Sequence, residues 1–385
     1  MADTVKEGAG RVLLFGMFQV VLGSTVPSGL YAIYEREWDL ARIQTTLVFA
    51  AYVAGVLFSL IFLGGLADRF GRKPAILFSV VVGGLSSIAF LVASGLPLLV
   101  LARFLSGVSV GACTGAFTSA LNDYYGRTHG SALSAIITSA ALAFGPLASA
   151  ILAVTLPLPL RLPFMVHLAM IAIVLISCLL LPERPQHEEH VHAHESTEHS
   201  RGVFPTRSAL FVFLVCASVI GWAYGANGMW QSVVPLSMHV VDNQLQIASI
   251  TALMLGASAV TQWLTLKQTP EKILPVGLVH LAVGLATTAY GVHAQLVWLV
   301  IAATCLVGVG QGMSFRSSLG LAANSASPHK QATAISMYYI FGYLMTAVLP
   351  LLTNAGGVIA VLCIMVVLTV GSLVASRFIA KVRLD

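Results

Sequence analysis

The sequence predicts an all-α membrane protein with twelve transmembrane helices in two pseudo-symmetric six-helix bundles. Of its 385 residues, 57% are hydrophobic and only 9% are charged, whereas soluble domains carry roughly 25% charged residues. Apolar stretches of the roughly 20 residues that a helix needs to cross a bilayer recur along the whole chain. A single long polar stretch divides them into two sets of six.

The predicted spans follow one another with short breaks that contain glycine, proline or charged residues. They cover residues 11–34, 43–66, 74–94, 97–121, 131–155, 161–181, 208–236, 247–266, 273–292, 296–320, 332–353 and 356–379. The first stretch is too long for the apolar part of a signal peptide and has no small-residue cleavage site after it. We therefore expect it to remain as the first membrane helix.

The polar stretch predicts the domain organisation: a bundle at 1–182, a linker at 183–207 and a second bundle at 208–385. Two similar halves joined by a polar linker are typical of secondary transporters. The linker is rich in histidine and glutamate, and imidazoles near carboxylates can bind zinc, nickel or copper. The candidate metal ligands are His187, His190, His192 and His194. A solvated, disordered tether would have the same composition.

The distribution of basic residues predicts the orientation in the membrane. With a cytoplasmic N-terminus, fifteen Lys and Arg residues lie on the inner side and three on the outer side. Cytoplasmic loops carry such an excess, so we expect a multi-pass protein of the cell (inner) membrane with both termini in the cytoplasm. The same distribution accounts for the net charge of +5. The expected partners are the lipid bilayer, protons and a small-molecule substrate; no nucleic acid is expected, and the protein should be a monomer.

The most specific motif is the loop after the second span, which reads GGLADRFGRKP from Gly64 to Pro74. Gly71 permits a tight turn and Pro74 suits the first turn of a helix. Asp68 can pair with Arg69 or Arg72, or lie at the N-terminus of a neighbouring helix. An ordinary basic turn would explain the cations, but not the ordered glycine, aspartate and basic positions together.

This loop resembles the G-x-L-x-D-R-x-G-R-K signature of the major facilitator superfamily, and every position is matched. The resemblance implies transport by alternating access, with a charge relay in this loop that holds the outward-open state. The implied gating residues are Gly64, Asp68, Arg69, Gly71, Arg72 and Lys73. Span number and linker position extend the resemblance over the whole chain, although the equivalent loop of the second half, 266–272, contains neither Gly nor Asp.

Two charged residues lie well inside predicted spans: Arg103 in the fourth and Arg316 in the tenth. Burying such a charge in a bilayer costs at least roughly 2.5–3.5 kcal/mol, so each should be functional or tightly paired. Arg103 begins a segment that resembles the R-x-x-x-G motif, which the family links to proton transfer. The resemblance makes Arg103 and Asp123 the candidates for proton coupling. Either arginine could instead snorkel to the membrane surface.

Gly145 and Pro146 in the fifth span resemble the start of the antiporter motif G-P-x-x-G-G, whose last two glycines are replaced here by Ser and Ala. A simple proline kink would explain the pair equally well. In the family, the first, fourth, seventh and tenth spans line the cavity. The implied cavity residues are Gln19, Ser28, Tyr31, Tyr224, Asn227, Trp230, Gln231 and Arg316.

No Asp or Glu lies at mid-membrane, which favours an anionic or zwitterionic substrate over a cationic drug. We expect, first, proton-coupled export of a small organic molecule. An organic-anion transporter working in either direction is the alternative, and a metal or metal-chelate exporter that uses the histidine-rich linker as a sensor is a third. No cofactor is expected. The chain has no H-E-x-x-H sequence and no paired mid-membrane aspartates, so an enzyme is not expected.

Overall fold

The computed structural model describes residues 2–64, 66–181, 203–238, 244–327 and 331–379. Within these ranges the chain forms fourteen α-helices and two short 3₁₀ helices, Val26–Leu30 and Pro235–Ser237. The α-helices are α1 (Ala2–Thr25), α2 (Tyr31–Trp38), α3 (Arg42–Phe62), α4 (Leu66–Phe70), α5 (Arg72–Leu91), α6 (Leu96–Tyr125), α7 (Arg127–Thr155), α8 (Leu162–Leu180), α9 (Arg207–Ser232), α10 (Gln244–Leu264), α11 (Pro270–His293), α12 (Val297–Asn324), α13 (Gln331–Gly356) and α14 (Val358–Ile379).

Twelve segments in the described ranges are long and apolar enough to cross a membrane, which confirms the predicted number of spans. The first is formed by α1, the 3₁₀ helix and α2 together, and α4 is a short helix in a loop. Several ends differ from the prediction: the first span reaches Trp38 and the fourth reaches Tyr125. Polar residues there lower the hydropathy, but they do not interrupt the backbone hydrogen bonds of the helix.

The spans form two bundles, each with its own apolar core. The first, α1–α8, packs around residues such as Val56, Val80 and Phe117, all fully buried. The second, α9–α14, has two apolar clusters: the second core, around residues such as Met254 and Leu281, and a further cluster around residues such as Val212 and Tyr338. The outer surfaces of both bundles carry exposed apolar side chains, as expected where helices face lipid rather than water.

Alternate connections lie at opposite ends of the bundles. We call the end with the connections at 63–71 and 265–269 the terminal face, because an even number of spans brings both ends of the chain there. The end with the connections at 39–41 and 156–161 is called the distal face.

The two halves contact each other through α3 with α13 and α7 with α10, and α10 also contacts the 3₁₀ helix Val26–Leu30. In the second pair, Gln262 Nε2 of α10 donates to Ser139 Oγ of α7 at 2.7 Å. In the first pair, the rings of Tyr52 and Tyr343 lie edge to face, with centroids 6.5 Å apart. Any rocking of the halves must change these contacts.

Candidate functional site

The first span is interrupted where the sequence places a proline. Residues Val26–Leu30 form a 3₁₀ helix with Pro27 in its first turn. In a 3₁₀ helix the carbonyl of residue 24 would accept from the N–H of residue 27, and proline has no N–H. The Ser24 carbonyl is thus left available for another donor. The three-residue repeat also places Ser28 and Tyr31 on one face.

Arg103 of α6 supplies that donor. Its side chain is 1% exposed. Nη1 donates to the Ser24 carbonyl, and Nη2 donates to Tyr31 Oη and, at 2.9 Å, to Ser28 Oγ. This burial shows that Arg103 does not snorkel to the membrane surface, so that alternative is wrong. The interrupted first span and the fourth span build one site around the guanidinium.

Two tyrosine rings also face the Arg103 guanidinium. Its Cζ lies 5.1 Å from the Tyr31 ring centroid and 5.6 Å from that of Tyr52 on α3, both within cation–π range. Gly107, the glycine of the R-x-x-x-G segment, allows this approach. A Cβ atom there would lie 2.0 Å from the Tyr52 carbonyl oxygen. The glycine therefore permits α6 to pack directly on α3, beside Tyr52.

The Gly145-Pro146 pair of α7 packs against the 3₁₀ interruption of the first span. A Cβ atom on Gly145 would lie 2.1 Å from the Oγ1 atom of Thr25, which is the residue before the 3₁₀ helix. Pro146 lies inside α7, and its carbonyl would lie 2.2 Å from a Cβ atom on Gly29. The antiporter-like segment thus packs against the backbone that carries the Arg103 partners.

No carboxylate offsets the Arg103 charge within the described ranges. There its hydrogen bonds go to a carbonyl and two hydroxyls, and it forms no ion pair. Its Nε has no hydrogen-bond partner among the described residues. A buried charge whose partners are all neutral can still bind an anion.

An aromatic cluster continues from this site into the second half. Tyr343 of α13 contacts Tyr52, and its ring centroid lies 5.3 Å from that of Tyr224 on α9. Tyr224 in turn lies 5.3 Å from Phe315 and 6.3 Å from Tyr339. Rings from both halves therefore form a continuous row that begins at Arg103.

Residues 52, 339 and 343 were not among the predicted site residues. Tyr339 and Tyr343 are four residues apart, and so on one helix face, in an apolar span. That spacing was the available signal. The contact between Tyr52 and Tyr343 joins positions far apart in the sequence, and no spacing rule reveals it.

The structure places the predicted cavity residues of the seventh span in different surroundings. Tyr224 belongs to the aromatic row, and Asn227, 4% exposed, has an Oδ1 without a partner among the described residues. Trp230 is fully buried in the second core, where its Nε1 donates to Thr304 Oγ1 at 3.0 Å. Gln231 is half-buried near the end of α9.

Gln19, predicted as a deep cavity residue, is buried against α8. Its backbone carbonyl accepts from His167 Nε2 at 3.0 Å, and His167 Nδ1 lies 2.7 Å from Ser87 Oγ. Since a carbonyl can only accept, Nε2 carries the proton and Nδ1 accepts from the serine. His167 is therefore a hydrogen-bonded packing residue.

Arg316 is placed differently from Arg103. It is half-buried, and its guanidinium reaches the C-terminal end of α10 at the terminal face. Nη1 donates to the Thr265 carbonyl, and Nη2 donates to the carbonyls of Leu266 at 2.6 Å and Gln268 at 3.3 Å. The side chain thus extends towards the membrane surface and binds the loop that replaces the signature in the second half.

The signature loop is anchored within the first half. Arg72 forms an ion pair with Asp123 at the end of α6. Lys73 Nζ donates to the carbonyls of Leu179 at 3.0 Å and Leu181 at 2.7 Å, at the C-terminus of α8. Gly71 has a φ of 91°, a conformation that favours glycine.

Asp123 therefore lies beside the signature loop and not beside Arg103. Twenty residues of one helix separate the two, about 30 Å at 1.5 Å per residue. Gly64 is the last described residue before α4, the short helix of this loop. The side chains of Asp68 and Arg69 lie outside what the structure describes.

The sequence also contains the pattern G-x-S-x-G from Gly107 to Gly111. In hydrolases that pattern forms a sharp turn between a strand and a helix. Here it lies inside α6, and Ser109 Oγ donates to the Ser79 carbonyl at 2.6 Å. Ser109 is thus a packing residue between α5 and α6.

The predicted metal ligands His187, His190, His192 and His194 lie outside the described residues. Within the described ranges, no group of three or more His, Cys, Asp or Glu side chains is arranged to hold a metal ion. The five cysteines are unpaired thiols.

Twelve spans in two bundles, with an arginine buried beside the interrupted first span, define a polytopic membrane protein. The chain belongs to the Major Facilitator Superfamily, whose family model matches residues 13–350. A solved structure of the nucleoside transporter NupG is similar over 97% of this chain and 99% of that one, with a TM-score of 0.68 and 12% identity, which shows the fold.

Curated relatives match over shorter stretches. The chain is 33% identical over 113 residues to the 4-hydroxybenzoate transporter PcaK of Pseudomonas putida, covering 29% of this chain and 24% of that protein. It is 36% identical over 78 residues to the multidrug resistance protein MdtL of Shewanella sp. (strain ANA-3), covering 20% of each. The chain thus aligns with about a quarter or less of the length of these relatives.

Proposed function

We propose that this protein transports a small organic anion that carries an aromatic ring, with the carboxylate bound by Arg103. The observation that carries this proposal is the fully buried Arg103, which has only neutral partners among the described residues. An incoming carboxylate can form charge-assisted hydrogen bonds with the guanidinium, which are stronger than those to the neutral hydroxyls. Arg103 is thus a group whose best partner is an anion from outside the chain.

The aromatic row supports the second part of the proposal. Tyr52 lies next to the guanidinium, and Tyr343, which comes from the other half, contacts the Tyr52 ring. Aromatic rings pair favourably with other rings at centroid distances of roughly 4.5–7 Å. A substrate ring can therefore enter between the halves beside Tyr343 while its carboxylate binds Arg103. The similarity to a 4-hydroxybenzoate transporter agrees with this chemistry.

Proton-coupled export remains our proposal for energy and direction. The Gly145-Pro146 contact with the first span and the similarity to a multidrug resistance protein favour it. Arg103 itself cannot release a proton, because arginine stays charged in proteins. We assign Arg103 a part in coupling through a change of hydrogen-bond partner. The substrate carboxylate replaces Tyr31 as the acceptor of the guanidinium. Protonation of Asp123 would release Arg72 and so loosen the signature loop.

The orientation follows from the basic residues. We propose that the terminal face is cytoplasmic and that the protein lies in the cell (inner) membrane, because the loops of this face hold most of the Lys and Arg residues. The signature loop and the end of α6 would then face the cytoplasm.

The test is transport by the purified protein in proteoliposomes, with and without an imposed proton gradient. The substrates are 4-hydroxybenzoate, its neutral amide and acetate, which separate the contributions of charge and ring. We expect 4-hydroxybenzoate to move, the amide to fail for lack of charge, and acetate to bind weakly for lack of a ring. Equal transport of the amide and the acid would overturn the role of Arg103. Transport of the acid at the same rate with and without the proton gradient would refute proton coupling, but not the role of Arg103.

A further inference from the structure

A cavity lies at the distal face, within the first half. Its volume is about 420 Å³, and its walls come from the end of α2, the end of α5 and the connection before α8. The residues that matter here are Tyr34, Glu37, Trp38, Phe90 and Arg161. All of its lining residues belong to one bundle, so the cavity is separate from the interface between the halves.

Two opposite charges line this cavity without pairing. Glu37 and Arg161 are both exposed and both belong to its wall. Within the described ranges, the only ion pair joins Arg72 to Asp123, so Glu37 and Arg161 do not pair with each other. A molecule that carries both a positive and a negative group can bind to the two side chains at once.

The remaining wall offers an aromatic surface. Tyr34 is 2% exposed, and its hydroxyl has no hydrogen-bond partner among the described residues. The rings of Tyr34 and Trp38 lie 4.9 Å apart, at the membrane end of the first span. Such aromatic residues are typical of the level of the lipid headgroups.

The surface next to the cavity faces lipid. Ile88 on α5 is 45% exposed, Val92 directly after α5 is 63% exposed, and Met165 on α8 is 50% exposed. In a membrane helix these side chains contact acyl chains. A lipid whose chains lie along α5 and α8 therefore has its headgroup at the level of the cavity.

We propose that this cavity binds the headgroup of a zwitterionic phospholipid with a primary ammonium group. The Arg161 guanidinium donates to the phosphate, and the Glu37 carboxylate accepts from the ammonium. The bound lipid bridges the distal ends of the first, third and sixth spans. Tyr34 lies one helical turn from Tyr31, which binds Arg103, so the lipid also steadies the wall of the transport site.

The test is native mass spectrometry of the full-length protein with equal amounts of phosphatidylethanolamine, phosphatidylcholine and phosphatidylglycerol. We expect phosphatidylethanolamine to be retained best. Glu37→Gln should lower its retention about threefold, to the level of phosphatidylcholine, whose methylated ammonium has no N–H donor. Arg161→Gln should lower the retention of both zwitterionic lipids, because both lose the phosphate contact.

Two variants serve as matched controls. Arg36→Gln and Asp39→Asn remove exposed charges from the same face that do not line the cavity. Asn suits position 39, whose φ is 49°. Both should leave lipid retention unchanged, and thermal unfolding of each variant verifies folding.

Three results would overturn the proposal: equal retention of the three lipids by the unmodified protein, equal losses in the control variants, or a Glu37→Gln variant that loses phosphatidylethanolamine and phosphatidylcholine alike. Soluble glycerophosphoethanolamine at the same concentration is expected to leave the lipid bound. Its displacement of the lipid would show that the cavity recognises a free zwitterion, which would overturn the assignment to the bilayer.

Discussion

The two arginines inside the spans have opposite surroundings. Arg103 is 1% exposed and donates to one carbonyl and two hydroxyls between two tyrosine rings. Arg316 is half-buried and donates only to backbone carbonyls, three of them at the end of α10. From sequence the two look alike, since each is a lone cation in an apolar helix.

The difference lies in what an anion would gain at each place. The C-terminal end of a helix carries a partial negative charge of about half an elementary charge, so the loop carbonyls already offset the charge of Arg316. Hydroxyls can rotate and also donate, so Ser28 and Tyr31 can release Arg103 to a better acceptor. We infer that Arg316 fixes a loop, whereas Arg103 binds a substrate.

The largest expected effect is at Arg103. Arg103→Gln should lower 4-hydroxybenzoate transport about 100-fold, because a charge-assisted hydrogen bond in a buried site is lost. Arg103→Lys keeps the charge but not the planar pair of donors, so we expect a loss of about tenfold. The measurement is initial rates in proteoliposomes at equal protein content. If the glutamine variant transports normally, Arg103 is a packing residue and the comparison with Arg316 fails.

The second effect tests the backbone contact beside Arg103. At Gly107 a Cβ atom would lie 2.0 Å from the Tyr52 carbonyl, whereas at Gly115 of the same helix nothing lies within 4 Å. Gly107→Ala should destabilise the protein by about 1–3 kcal/mol, through separation of α6 from α3. Gly115→Ala is the matched control and should be neutral or stabilising by about 0.5–1 kcal/mol. Thermal unfolding in detergent measures both, and equal midpoints would contradict the close packing.

The fold was largely predictable, because each span leaves a local signal of length and hydropathy. All twelve spans and their order were correct. The 3₁₀ interruption at Val26–Leu30 was missed, although Pro27 inside an apolar stretch was a visible sign of it. A proline shows that a helix is disturbed, but it does not show which carbonyl is freed or which residue will bind it.

The site was only partly predictable, because it depends on contacts between distant segments. Arg103 and Tyr31 were found from residue type and motif. Tyr52 and Tyr343 were not, since their importance comes from meeting across the two halves. Trp230 shows the reverse: it shares a helix face with Asn227 by its i,i+3 spacing, yet it is buried in the second core. Helical periodicity gives the face of a helix, but not what that face meets.

A smaller effect is expected in the aromatic row. Tyr343→Ala removes ring contacts to both Tyr52 and Tyr224. Each such pair contributes about 0.5–1.5 kcal/mol, so we expect the KM for an aromatic acid to rise about tenfold. Tyr343→Phe keeps the ring and should stay close to the unmodified protein. If the phenylalanine variant is as impaired as the alanine variant, the hydroxyl rather than the ring is what the substrate needs.

The smallest effect on transport is expected at Arg316. Arg316→Gln removes the cation from the end of α10 and should lower stability by about 1 kcal/mol, with transport rates within about twofold of normal. The loss is limited because the site is half-buried, so water can hydrate the carbonyls of Thr265 and Leu266 in place of the guanidinium. Thermal unfolding and initial transport rates of this variant, measured beside Arg103→Gln, separate the two roles. A large loss of transport with unchanged stability would place Arg316 in substrate binding after all, and the contrast between the two arginines would disappear.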